Sequence, residues 1–354
     1  MHRTLVAVTA LAFVVVACGD SARTADTSAA AKAATSGVAL TGAGATFPYP
    51  LYSKWFSAYA AHTGVKINYQ SIGSGGGIRQ LSEQTVDFGA TDAPMSDAEL
   101  AKAKGGAILH FPTALGAVVL TYNLAAVSSP LALTGDVVAA IYQGQITRWN
   151  DARIAALNPG VTLPATDILV VHRSDGSGTS YVFTDYLAAV SPAWATKPGK
   201  GKEVQWPTGL GAKGNEGVAG QVRQSPGAIG YVELAYATQN KMATARIRNA
   251  NGEFVAPTIE SVTAAAAGAA AKLPANTDYR VSIVNAPGAG VYPISSFTWI
   301  IVYATQTDAA KKKSLVDFLR WALADGQGME AALDYAPLPE SMRAALVTRL
   351  STIQ

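Results

Sequence analysis

"ILVVHRSDGSGTS", residues 168–180, is the stretch from which the chain can be read. Ile168–His172 is a β-rich apolar run and Tyr181–Val190 reads as a helix, so Gly176, Ser177, Gly178 and Thr179 fall on a strand-to-helix turn. The first N–H groups of a helix lack intrahelical acceptors, and its dipole adds a partial positive charge there, which suits an anion. Glycines let the backbone approach a ligand, Ser177 and Thr179 add hydroxyl donors, and Arg173 offers a planar bidentate fork that Asp175 can hold in place. A turn that only caps a helix has the same composition, so this stretch alone leaves three readings open: an anion loop, a cap and a nucleophile turn.

Outward from it, short β-rich runs alternate with helical segments, which predicts an α/β fold rather than a bundle or a sandwich. Strands are expected at Lys66–Gln70, Ala117–Tyr122, Ile168–His172 and Thr298–Tyr303. Helices are expected at Leu51–His62, Asp97–Lys104, Gly135–Gln143, Tyr181–Val190 and Ala309–Leu323. The alanine-rich segment Ser261–Lys272 predicts a surface helix with little to pack against. A chain of 354 residues favours two domains over one.

Three other stretches share the chemistry of the first. "GAGATFPYP", residues 42–50, places Thr46 and Phe47 just before Pro48 and a helix, or is a Gly/Pro loop that caps it. "SIGSGGGIRQL", residues 71–81, follows a strand and precedes a helical Ile78–Glu83, and its Ser74 can offer a hydroxyl and an N–H to an oxyanion. It lacks the Gly-Lys-Ser/Thr of an ATP loop and the spacing of a dinucleotide fingerprint. "VDFGATDAP", residues 86–94, ends in Asp92, either a helix cap or an acceptor-only carboxylate that tolerates an anion only if the anion carries a proton. Phosphate near neutral pH keeps such a proton and sulfate does not.

The formal charge is +3 and the basic residues are scattered apart from Lys311–Lys313, which reads as a solvated helix face; no nucleic-acid stripe is present. The N-terminus, with a basic start and an apolar run Leu5–Val16, has the form of an export signal and is short for a membrane span. The signal, residues 1–17, ends at the lone cysteine, Cys18, and resembles that of bacterial lipoproteins; by that resemblance Cys18 carries a diacylglyceryl anchor to the cell membrane. Residues 18–36 then form a lipidated, small and polar tether.

These four stretches, in order with "WPTGLGAKGNEG" (206–217), "SPGAIGYVE" (225–233) and "LDYAPLP" (333–339), resemble the phosphate-binding proteins of phosphate-specific ABC transporters, the PstS family. The match runs from about Leu40 to Leu350, and the alanine-rich segment is where it departs from the family pattern. The resemblance implies a two-lobed periplasmic-binding-protein type II fold with the ligand between lobes. It places crossings near Pro112–Gly116 and Tyr292–Ser296, so that residues 37–113 with 294–354 form lobe I and residues 114–293 form lobe II. It implies a phosphate site of Thr46, Phe47 through its backbone N–H, Ser74 and Asp92 from one side, and Arg173, Ser177, Gly178 and Thr179 from the other, with Asp175 behind Arg173. The expected partners are inorganic phosphate, the membrane permease and the ATPase subunits of such a transporter, and no cofactor is expected.

The rival is an exported phosphate-ester hydrolase with Ser177 as nucleophile and His172 as base. The segment 175–179 reads Asp-Gly-Ser-Gly-Thr and so lacks a Gly-x-Ser-x-Gly elbow. With four histidines and no paired ligand spacing, a metal centre is not expected, and the chain reads as a binding protein rather than an enzyme.

Overall fold

The computed structural model describes residues 38–270 and 277–354. The expected signal, Cys18, the tether and the end of the alanine-rich segment lie outside the described residues. The strands are β1 (Leu40–Gly44), β2 (Ile67–Ser71), β3 (Phe88–Thr91), β4 (Ile108–Tyr122), β5 (Ala132–Leu133), β6 (Leu169–Arg173), β7 (Leu210–Ala212), β8 (Ala228–Glu233), β9 (Ala243–Thr244), β10 (Arg246–Arg248), β11 (Phe254–Val255) and β12 (Ser295–Tyr303).

The main sheet runs β2-β1-β3-β12-β4-β8-β6-β7, with β9 on the end of β4, and β11-β10-β5 form a small sheet of their own. β1 is parallel to β2 and β3, and β6 is parallel to β7 and β8, whereas β12 and β4 run antiparallel to their neighbours. β4 belongs to both halves. Its residues up to Ala117 pair with β12, and from Val118 onward they pair with β8. One aromatic cluster, Tyr52, Phe56, Tyr69, Phe88 and Phe318, is built on β2 and β3. A second, Tyr142, Phe183, Trp206 and Tyr231, lies on β8. The result is a two-lobed α/β molecule of the periplasmic-binding type.

The parallel strands feed directly into helices. Tyr49–Thr63 follows β1, Ser74–Ser82 follows β2, and Gly178–Val190 follows β6. The loops of interest therefore sit at carboxyl ends of parallel strands, where open α/β sheets bind ligands.

Three expectations change. The helix expected at Asp97–Lys104 ends at Leu100. β4 begins nine residues before the expected Ala117, because Pro112, which reads as a breaker, sits at a register shift: Thr298 pairs with Ala114 and Trp299 with Pro112. The alanine-rich helix, Ile259–Ala270, is not free of the body; Val262, Ala265 and Ala266 are buried against β4 and β12. Its small side chains permit close approach to the sheet, a packing that propensity alone does not show.

Candidate functional site

Arg173 ends β6 and is 3% exposed. Its Nε and Nη2 donate to Oδ1 and Oδ2 of Asp175 at 2.8 and 2.6 Å, a bidentate pair, and the Gly214 N–H donates to the same Oδ1 at 3.0 Å. Burial lifts the Asp175 pKa, but the Arg173 bond and charge, helped by Gly214, outweigh it and hold this carboxyl below its ordinary value. The main chain beneath the fork is held as well: the Arg173 backbone N–H donates to the Tyr231 hydroxyl at 3.0 Å. Its remaining nitrogen, Nη1, reaches Thr179 Oγ1 at 3.3 Å.

The following helix starts at Gly178, and Ser177 is its N-cap, with Oγ accepting from the Ser180 N–H at 2.9 Å. His172 is turned elsewhere. Its Nδ1 donates to Arg173 O at 2.9 Å and its ring stacks on Trp206, with burial lowering its pKa.

The facing rim comes from β1, β2 and β3. Thr46 Oγ1 accepts from the backbone N–H and Nδ2 of Asn215 at 3.2 and 2.8 Å. Two tyrosine hydroxyls fix the backbone beside it: Tyr236 donates to Thr46 O and Tyr335 to Phe47 O, both at 2.6 Å. The Phe47 ring is fully buried, packed edge-on against Tyr335, so the ring itself is part of the core. Ser74 Oγ accepts from the Asp92 N–H at 3.2 Å and from the Gly178 N–H at 3.1 Å.

Asp92 follows β3 and is 1% exposed. It caps no helix; that task falls to Ser96, which forms a capping box with Glu99. Thr298 donates to Asp92 Oδ1 at 2.9 Å, and Oδ2 faces Gly178. Burial pushes this carboxyl up to about 7, against the opposing pull of the Thr298 bond, the Arg173 charge and Ser74.

The rims meet. A Cβ on Gly178 would overlap Ser74 Oγ and Asp92 Oδ2, which is the close approach that demands glycine here. The Gly75 N–H also donates to Gly176 O at 2.8 Å, and Lys202 pairs with Glu99 at 2.7 Å. The structure thus draws all eight expected contact residues and Asp175 into one buried cluster with the cleft closed. Sequence reading missed Asn215, Thr298, Tyr236 and Tyr335, which hold that cluster together. Asn215 and Tyr335 lie inside the quoted stretches 206–217 and 333–339, whereas Thr298 and Tyr236 have only their place at a strand or helix to mark them. Among the described residues no group of histidine, cysteine and carboxylate side chains could hold a metal ion, and no helix is long and apolar enough to cross a membrane.

A family model described as a PBP superfamily domain matches residues 24–325. The phosphate-binding protein PstS of Xylella fastidiosa is 48% identical over 309 residues, covering 87% of this chain and 84% of the relative. That of Haemophilus influenzae is 43% identical over 314 residues, covering 88% and 92%. Among solved structures, a phosphate-binding protein from Stenotrophomonas maltophilia aligns over 88% of this chain and 94% of its own with a TM-score of 0.69 at 23% identity, a likeness of fold. By descent as well as by architecture, the chain belongs to the PstS family of the PBP superfamily.

Proposed function

We propose that this protein captures inorganic phosphate outside the cytoplasm and delivers it to the permease and ATPase subunits of an ABC importer. The observation that carries the reading is Asp92: a buried carboxyl whose free oxygen faces the N-terminal turn of the Gly178 helix, beside the buried Arg173 guanidinium. Donors and positive charge on one rim attract an oxyanion, while the carboxylate on the other accepts only from an anion that still holds a proton. Relatives of this family bear the name phosphate-binding protein, in keeping with that chemistry.

Thr46, the Phe47 N–H, Ser74 and Asp92 bind from one rim. Arg173, Ser177, Gly178 and Thr179 bind from the other, and Asp175 orients the guanidinium. Lobe I takes residues 37–113 with 294–354 and lobe II residues 114–293, a division supported by the change of partner along β4 and by the return into β12. An anion gripped from both sides favours the closed arrangement over an open one, and the closed face is what the permease meets. The export signal and a lipid on Cys18 tether the protein to the outer face of the cell membrane.

Hydrolysis finds less support. Ser177 Oγ accepts the Ser180 N–H, and His172 is engaged with Arg173 O and Trp206, so no oriented base serves that hydroxyl. Calorimetric titration with phosphate, sulfate and arsenate, run beside a phosphate-ester turnover assay, tests both readings. Phosphate uptake with sulfate rejected and no turnover is expected. Turnover that disappears in Ser177→Ala would overturn the transport reading.

A further inference from the structure

Asn215 is fully buried and belongs to neither set of expected contacts, yet it touches both rims. Its Oδ1 accepts the Glu233 N–H at 2.8 Å, which fixes the orientation of the amide and turns Nδ2 to the cleft. The two Nδ2 hydrogens are then spent on two hydroxyl oxygens, Thr46 Oγ1 at 2.8 Å and Thr179 Oγ1 at 3.0 Å. Each oxygen receives a second donor as well: the Asn215 N–H for Thr46 and Arg173 Nη1 for Thr179. A hydroxyl has two lone pairs and one hydrogen. With both lone pairs filled, each threonine has only its hydrogen left to offer.

We propose that Asn215 is a positioning residue that converts the Thr46 and Thr179 hydroxyls, one on each rim, into obligate donors toward a bound oxyanion. The inference rests on the phosphate reading and deepens it. A hydroxyl free to rotate can present a lone pair to an anion oxygen, and saturation by Asn215 removes that unfavourable orientation before the anion arrives. Asn215 shares lobe II with Thr179 and Arg173, so the Thr179 hydroxyl is saturated in advance, whereas Thr46 on the other rim receives its Asn215 donors only when the cleft is closed, so closure and alignment of the Thr46 donor are one event.

The test is a mutant cycle read by phosphate titration. Asn215→Ala is made in the parent chain and in a Thr46→Val, Thr179→Val background, with Asn215→Ser as a second neutral variant and thermal melting confirming that each folds. In the parent, the loss of one oriented contact at each hydroxyl is expected to weaken phosphate binding by about tenfold or more, a net hydrogen bond being worth about 1 kcal/mol. In the valine background the same change is expected to cost less than about twofold, because no hydroxyl remains to be aligned. An equal loss in both backgrounds, or a loss under twofold in the parent for both Asn215 variants, would overturn the proposal. A parent chain that takes up no phosphate would instead overturn the phosphate reading itself.

Discussion

Arg173 and Asp92 are almost equally buried, at 3% and 1% exposure, but they are stabilised in opposite ways. Arg173 is given fixed partners for three of its five N–H donors: a bidentate carboxylate, itself braced by the Gly214 N–H, and a neighbouring hydroxyl. Asp92 receives the Thr298 hydroxyl on one oxygen while the other faces Gly178, and burial raises its pKa to about 7. A permanently charged group must be neutralised in advance to be buried at all, whereas a carboxyl can be left poised between two protonation states. Under the proposed function the contrast divides the labour: the β6 rim supplies attraction, and the β3 rim reads whether the anion carries a proton.

Each side of that contrast can be broken separately. Arg173→Ala has the largest expected effect, because it removes the attraction and strands Asp175; losing one member of a buried pair costs about 3–5 kcal/mol, so calorimetry should show phosphate affinity down by about a hundredfold to a few thousandfold. Gly178→Ala strikes where the rims meet. The added Cβ overlaps Ser74 Oγ and Asp92 Oδ2, and an overpacking cost of about 1–3 kcal/mol should weaken binding by about tenfold to a hundredfold, with small-angle scattering showing incomplete closure.

Asp92→Asn should leave phosphate bound while narrowing the preference over sulfate by about tenfold or more, since an amide can donate to an oxygen that has no proton. Sulfate and phosphate titrations of this variant decide the point, and an unchanged preference sinks it. Lys202→Ala removes an ion pair that links the segment before β7 to the helix Asp97–Leu100; a partly exposed pair is worth about 1 kcal/mol at most, so a few-fold effect on phosphate affinity is expected, smaller at high salt.

The Asp92 carboxyl also makes stability depend on pH. Its pKa in the folded chain lies above the ordinary 3.8, so between those values the folded state holds a proton that the unfolded state has lost. The unliganded protein should therefore lose stability as pH rises from about 4 through about 7, and Asp92→Asn should flatten that slope in thermal melts.

Sequence legibility follows the same division. The turn after β6 was readable because its parts are local: an apolar run, Gly and Ser at a helix start, and an arginine two residues from its carboxylate. Asp92 was readable as an acceptor, but its raised pKa was not, because burial is a property of the assembled sheet. Asn215, Thr298, Tyr236 and Tyr335 each hold Thr46, Phe47 or Asp92 from more than a hundred residues away along the chain, and no local pattern encodes such contacts. β4 was half hidden for a related reason: Pro112 ends a strand by local rules, and only the register shift opposite it, at Thr298 and Trp299, allows the strand to continue.

The division of labour between the rims is tested most directly by titrating sulfate into the phosphate-free protein at pH values on either side of 7, in parallel with phosphate. The expected result is sulfate rejection above pH 7, sulfate binding that strengthens as pH falls and Asp92 takes up a proton, and phosphate binding throughout. Sulfate affinity that stays the same across that range would contradict the assignment of Asp92 as the group that reads the anion's proton.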